Sequence, residues 1–481
     1  VPVAGTVTFA GPLVTFTPAI PLTLNTPYTA RVDVGLTDLA GNALAAPVIF
    51  NFTTESTPWP GTRQLGTLVA DNGNAVTMDG AGNAYVAGTT GGDLAGPSFG
   101  GSDFFLAKFD LSGNRPFTSQ FGTSANDAAF AVAVDVAGNS YVAGSTSGDL
   151  DGLLINDPLV GETDFFLAKF GPTGNRLFTR QLGTLVADEA RGVAVDGNGN
   201  IYVTGTTSGN LAGLSAGGTD IFLAKFDGNS VNLNLLFIRQ IGTSADDRAF
   251  AMAVDGAGNV YVTGSTAGDL DGPGIGSDPL VGETDFFLAR FDSTGNLLFT
   301  RQLGTLAADE ARGVAVDGRG GIFVTGTTGQ DLDGPLIGDP FVGGGDFFLA
   351  KFDGNSVNLN LLFTRQLGTQ ANDQAFAVAV DGAGNAYVTG ATGGDLTGLS
   401  SGGNDIFLAK FGPSGDLLFT RQRGTLTQDA AFGVAVAGLP VGGNVFVTGE
   451  TQSDLDGNPS AGGPDIFLVK FDPFGNPQLQ P

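Results

Sequence analysis

No cysteine and no histidine occur among the 481 residues of this chain. The two absences remove thiol nucleophiles, imidazole bases, Ser-His-Asp triads and the ordinary zinc and haem sites. Lack of cysteine leaves the redox compartment open, with a lean toward the cell exterior. Tryptophan occurs once and methionine twice. Charged residues amount to only 14%, yet the formal net charge is −27. So acidic a chain repels nucleic acid and anionic lipid, and divalent cations are its natural counterions. No apolar run approaches the roughly 20 residues of a membrane span, so no membrane insertion is expected. No signal peptide is recognisable and the chain begins at Val1, which leads to the expectation of a trimmed, secreted form or a fragment.

Glycine (78) and phenylalanine (38) are what the chain has in abundance. That profile suits many short strands joined by tight turns over a core of Phe, Val and Leu. The stretch GVAVDGNGNIYVTGTT at 192–207 shows how. Alternating apolar and β-branched residues flank an Asp/Asn/Gly turn, the pattern of a β-hairpin. It recurs seven times, with the last copy (433–451) carrying a longer turn that has lost its Asp. Two further pieces recur with it. One is TRQLGT at Thr62, Thr179, Thr300 and Thr364, with variants at Thr118, Ile238 and Thr420. The other is DFFLAKF at Asp103, Asp164 and Asp346, with variants at Asp220, Asp285, Asp405 and Asp465. We label the hairpin strands A and B, the DFFLAKF strand C and the TRQLGT strand D.

A repeat of about 60 residues with four strands per copy is the signature of a β-propeller blade. Both faces of strand C are apolar: Phe347 and Leu349 alternate with Phe348, Ala350 and Phe352. This suits a blade pressed between two neighbours. The order places a D piece first and a C piece last, so Thr62–Thr67 is expected to pair with Asp465–Phe471 and close the ring. The fold class is therefore all-β, a seven-bladed β-propeller over residues 62–481. Residues 1–55 read as a separate segment of four short strands, and Ser56–Gly61, with Trp59 between two prolines, as a linker.

The repeat DEARGVAVDG…GNIYVTGTT…DFFLAKFD…NLLFTRQLGT resembles the SBBP repeat of bacterial seven-bladed propellers and, more loosely, NHL-type blades. The resemblance runs from Thr62 to about Phe471. It implies the fold and an extracellular bacterial setting, and it carries no catalytic motif. Leu36-Thr-Asp-Leu-Ala-Gly-Asn-Ala-Leu with the closing FNFTT at 50–54 resembles the second half of a bacterial Ig-like domain of S-layer and other surface proteins. A half sandwich cannot bury its inner face alone. Upstream residues, the propeller or a neighbouring copy would have to complete it.

Three sets of residues are candidates for chemistry. Each D–A loop has an Asp five residues after its Gly: Asp71, Asp127, Asp188, Asp247, Asp309, Asp373 and Asp429. They form either an acidic ring at the channel or, as is commoner for a position repeated in every blade, bonds that brace each loop. The B–C loops of blades two, four, five and seven are acidic, and their Asp-Leu-Asp-Gly element offers paired carboxylates before a sharp turn. The candidate Ca2+ ligands are Asp149, Asp151, Asp157 and Glu162; Asp269, Asp271, Asp278 and Glu283; Asp331, Asp333 and Asp339; and Asp454 and Asp456. Solvated acidic loops are the alternative. The strand C cations Lys108, Lys169, Lys225, Lys351, Lys410, Lys470 and Arg290 are expected to pair with nearby acids.

These readings lead to a non-catalytic extracellular structural or adhesive protein, part of a bacterial surface or appendage assembly. Its expected partners are further copies of itself, surface proteins or glycans. The alternative is a monomeric propeller that binds glycan or protein through the B–C loop face. A glycosidase built on two carboxylates is the remaining option, with no conspicuous pair to support it.

Overall fold

The computed structural model describes residues 2–10, 13–18, 27–35, 37, 46–53, 61–150, 159–213, 215–270, 280–332, 341–397, 401–436 and 443–477. Trp59 and most of the expected linker lie outside them, as does most of the lengthened turn of the seventh hairpin.

Alternation and turn chemistry produce the blades. In blade one, strands A (Asp71–Met78), B (Ala84–Thr90), C (Asp103–Phe109) and D (Phe117–Phe121) form one antiparallel four-stranded sheet in sequence order. The A–B turn is made by Asp79. Its Oδ1 accepts from the backbone N–H groups of Ala81 and Asn83, its Oδ2 accepts from the Asn83 amide, and Gly82 takes φ +87. Asp135, Asp196, Asp255 and Asp381 make the same bonds in blades two, three, four and six.

Six sheets repeat this order. The seventh takes its outer strand from the opposite end of the propeller: Arg63–Leu65 pairs with Asp465–Phe471 in the register Leu65↔Ile466, Gln64↔Phe467, Arg63↔Leu468. The ring is closed as the strand order required. Towards the N-terminus, Gly5–Ala10 pairs with Leu13–Pro18 and Pro27–Val32 with Val48–Thr53. These are the four strands expected there.

The core lies between blades. Phe347 and Leu349 pack with blade six, whereas Phe348, Ala350 and Phe352 pack with blade four. The first Phe of one strand C stacks on the third residue of the next: Phe165 on Phe222 at 4.6 Å, Phe286 on Phe348 at 4.7 Å, Phe347 on Phe407 at 4.5 Å. Such offset pairs add roughly 0.5–1.5 kcal/mol each beyond their burial.

The strand C cations meet the expectation of acid partners only in part. Lys169, Lys225, Lys351 and Lys410 donate to backbone carbonyls of the next blade's C–D turn (Gly228, Ser293, Pro413 and Pro473) at 2.7–3.1 Å. Arg290 does the same to Gly354. Among the described residues, acid pairs form at Lys108, 3.5 Å from Asp79, and at Lys351, 4.0 Å from Asp317. A long side chain leaving one blade meets the carbonyl-rich turn of the next before it meets a carboxylate.

Candidate functional site

The D–A aspartates brace loops. Asp71 is fully buried; its Oδ2 accepts from Thr67 N (2.5 Å) and Thr67 Oγ1 (2.8 Å), and its Oδ1 accepts from Thr90 Oγ1 on strand B. Its own N–H donates to Pro464 O of the preceding blade. The other six are equally buried and hold the Thr four residues earlier in the same way. Burial holds the carboxyls of Asp71, Asp127, Asp188, Asp247, Asp309 and Asp429 above their ordinary range, and the threonine bonds only partly offset it. They do not line the channel as an acidic ring.

The strand C aspartates organise the B–C loops. Asp103 Oδ2 accepts from Gln120 Nε2 (2.7 Å) of strand D and from Phe99 N (3.0 Å), while Gln120 Oε1 accepts from Leu94 N and Ala95 N. All seven Gln–Asp pairs form, at 2.7–3.1 Å. The Q of TRQLGT thus ties the outer strand to the loop above it.

The acidic loops are only partly described. Asp151, Asp157, Asp271, Asp278, Asp333 and Asp339 lie outside the described residues. Asp149, Glu162, Asp269 and Glu283 stand exposed, and Asp331 is half-buried. In blade seven, Asp454 Oδ1 accepts from Ser460 N (2.7 Å). Asp456 accepts from Thr62 Oγ1 with one oxygen and from Arg423 Nη2 with the other. It takes φ +55, unusual for a residue with a Cβ. Among the described residues no three acidic side chains converge on a point where they could hold a metal ion.

A set of residues that sequence patterning passed over lies on the axis. Every strand A carries a β-bulge against strand B. In blade two, Ala129 pairs with Gly144 and Ala131 with Ala143, so Phe130 is skipped. The skipped residues are Asn74, Phe130, Arg191, Phe250, Arg312, Phe376 and Phe432. A bulge re-aims the side chain it leaves unpaired. Here all seven line one axial cavity of about 400 Å3, and all are half-buried. Arg191 lies over the Phe130 ring at 3.9 Å. Arg312 lies 4.8 Å from Phe250 and 5.8 Å from Phe376, and the Phe376 and Phe432 rings are 5.4 Å apart. Glu189 and Glu310, two residues before each arginine, pair with it at 2.5 Å. Asn74 donates to Ala129 O at 2.8 Å. The ring thus combines four aromatic faces with two neutralised guanidiniums.

The bulge also explains the glycine of strand B. A Cβ on Gly88, Gly144, Gly205, Gly264, Gly326, Gly390 or Gly449 would lie 1.8–1.9 Å from a strand A carbonyl oxygen. Only glycine admits so close an approach.

Known families account for both parts of the chain. Residues 61–95, 117–151, 177–212, 236–271, 298–333 and 362–397 match the SBBP beta-propeller repeat. The propeller is built of SBBP repeats. Residues 1–54 match a bacterial Ig-like domain (Big_5). "Regulatory protein FlaEY" of Caulobacter vibrioides is 27% identical over 419 residues, which are 80% of this chain and 41% of that protein. The chain therefore spans about two fifths of that relative's length. Among solved structures, a PL25 ulvan lyase aligns over 87% of this chain and 98% of its own, at 12% identity and TM-score 0.44. A putative 6-phosphogluconolactonase of Bacteroides uniformis aligns over 74% and 86%, at 12% identity and TM-score 0.43.

Proposed function

We propose that this chain is a non-catalytic, extracellular adhesive module whose SBBP propeller binds a surface partner around its axis, on the side of the D–A and B–C loops. One observation carries the reading. The residue that each strand A bulge turns into the axial cavity is Phe in four blades (Phe130, Phe250, Phe376, Phe432), Arg in two (Arg191, Arg312) and Asn in one (Asn74), between neighbours that are Gly or Ala in every blade. Positions that serve the fold are repeated blade after blade, as the D–A aspartates and strand D glutamines are. A position that varies and faces a cavity is free to serve recognition. Exposed Leu68, Leu185, Leu306 and Leu426 on four of the seven D–A loops add apolar contact area on that side.

Beads coated with the whole chain, scored for adherence to bacterial cells, test this. Phe250→Ala with Phe376→Ala and Phe432→Ala is expected to lower adherence several-fold with the circular dichroism spectrum unchanged. Adherence that survives the triple substitution would sink the reading.

A further inference from the structure

The junction of blades five and six departs from its sisters. Its D–A loop carries Gln370 where four others carry Leu68, Leu185, Leu306 or Leu426. Its strand A begins Asp373-Gln374 where blades three and five read Asp-Glu, and the facing strand B residue is Ala391 where blades three and five have Thr206 and Thr327. Gly344 stands where blades two and four place Glu162 and Glu283. Together with Asn372 and Asn404 these residues line a second cavity, of about 490 Å3, within the size range of ligand pockets.

Its lining is uncharged and rich in side-chain amides. Asn372 Oδ1 accepts from Gly345 N at 3.0 Å, which leaves its Nδ2 to face the cavity. Among the described residues, the Gln370, Gln374 and Asn404 side-chain amides make no hydrogen bond; Asn404 is engaged through its backbone N–H, which donates to Gln428 Oε1 at 3.4 Å. Each amide offers both a donor and an acceptor. An anion would meet no counter-charge here on a chain of net charge −27, and a cation would meet no carboxylate in the lining. An apolar ligand would strip water from the amides and return no hydrogen bonds. Neutral hydroxyl groups, which donate and accept in pairs, satisfy them. The strand that carries Gln374 also carries Phe376 of the axial ring, so the pocket adjoins a surface on which a sugar face can pack.

We infer that the pocket between blades five and six binds a neutral saccharide. The inference rests on the reading of the loop side as a binding face and names its ligand class.

The test uses the whole chain, titrated calorimetrically with maltose, cellobiose, lactose and diacetylchitobiose at millimolar concentration. At least one is expected to bind. The decisive variant transplants the neighbouring junction: Gln370→Leu, Gln374→Glu and Ala391→Thr, which are the residues at Leu306, Glu310 and Thr327. Each side chain already fits this fold at its equivalent position. Loss of two or more hydrogen bonds of about 1 kcal/mol each predicts at least tenfold weaker binding. Val136→Ala, on the exposed A–B turn of blade two and outside both cavities, should leave saccharide affinity unchanged. Binding that survives the transplant, or that falls as much with Val136→Ala, overturns the inference and leaves the axial reading standing. No binding by any of the four sugars also overturns it, and cell adherence then judges the axial reading separately.

Discussion

Gly264→Ala tests whether the bulge is a fixed part of the blade. Gly264 sits on strand B of blade four, opposite the point where Phe250 is skipped. A Cβ there would lie 1.8 Å from Arg248 O, 2.8 Å from Arg248 C and 3.0 Å from Ala249 Cα. All three are backbone atoms, so no side chain can rotate away. Restoring van der Waals contact requires the strands to part by more than 1 Å, or the bulge to straighten. Overpacking of this kind costs about 1–3 kcal/mol, and two ladder hydrogen bonds broken beside it cost about 1 kcal/mol each. The expected loss is therefore about 3–5 kcal/mol. Gly256→Ala is the control in the same blade, because its Cβ would meet nothing within 4 Å; it should change stability by less than about 0.5 kcal/mol. Urea unfolding of both variants, followed by tyrosine fluorescence and circular dichroism, measures the difference. A Gly264→Ala midpoint within error of the Gly256→Ala midpoint would refute the argument that the bulge fixes the axial ring.

Three further outcomes follow from the same geometry. Burial raises the carboxyls of Asp71, Asp127, Asp188, Asp247, Asp309 and Asp429 above 3.8. The folded state therefore keeps these protons to higher pH than the unfolded chain does. The stability they lend is complete below the unfolded value and is lost as pH rises through the folded one, so urea midpoints should fall from about pH 4 upward; a midpoint that climbs steadily to neutrality contradicts this. Asp456 joins Thr62 of the closing segment to Arg423 of blade six. Asp456→Ala should destabilise the ring by about 1–3 kcal/mol, and adding Arg423→Leu, the residue of most sister strands, should recover part of that by removing the stranded charge; additive losses in a double-mutant cycle would show that the two do not interact. Calcium, if the acidic loops of blades two, four and five hold it, should raise the melting temperature in a way EDTA reverses, and Asp454→Asn should leave that shift intact because Asp454 already caps its own loop at Ser460. A shift abolished by Asp454→Asn would place the ion in blade seven instead.

Most of the architecture was legible because its signals are local and repeated. Asp79-Gly-Ala-Gly-Asn and its copies spell out their turns, and the two-sided apolar pattern of Asp346–Phe352 announces a strand with a blade on each side. Ring closure followed from order alone. The axial ring was not legible, for a physical reason. In Asp127-Ala-Ala-Phe-Ala-Val-Ala-Val nothing local distinguishes a bulge from continuous alternation, and one skipped residue exchanges the faces of all that follow. The available signal was comparative: position four of strand A exchanges Phe, Arg and Asn between positions three and five, which are Gly or Ala in every blade. The amide pocket escaped notice likewise, since its lining comes from the loops and strands of two blades. The strand C lysines were assigned acids because charge invites a partner of opposite sign, whereas a blade edge presents carbonyls first.

The closing strand has a mechanical consequence. Arg63–Leu65 follows directly on the segment that leads from the Ig-like domain, and it is held to Asp465–Phe471 through three paired residues, against six for the outer strand of blade two. Tension applied at the N-terminal domain enters the propeller at that short ladder, before it reaches any complete blade. Within the propeller, the strand that joins the ends of the ring is thus also the one that yields first under such a pull. Its yielding would open blade seven while leaving the four-stranded sheets of blades one to six whole.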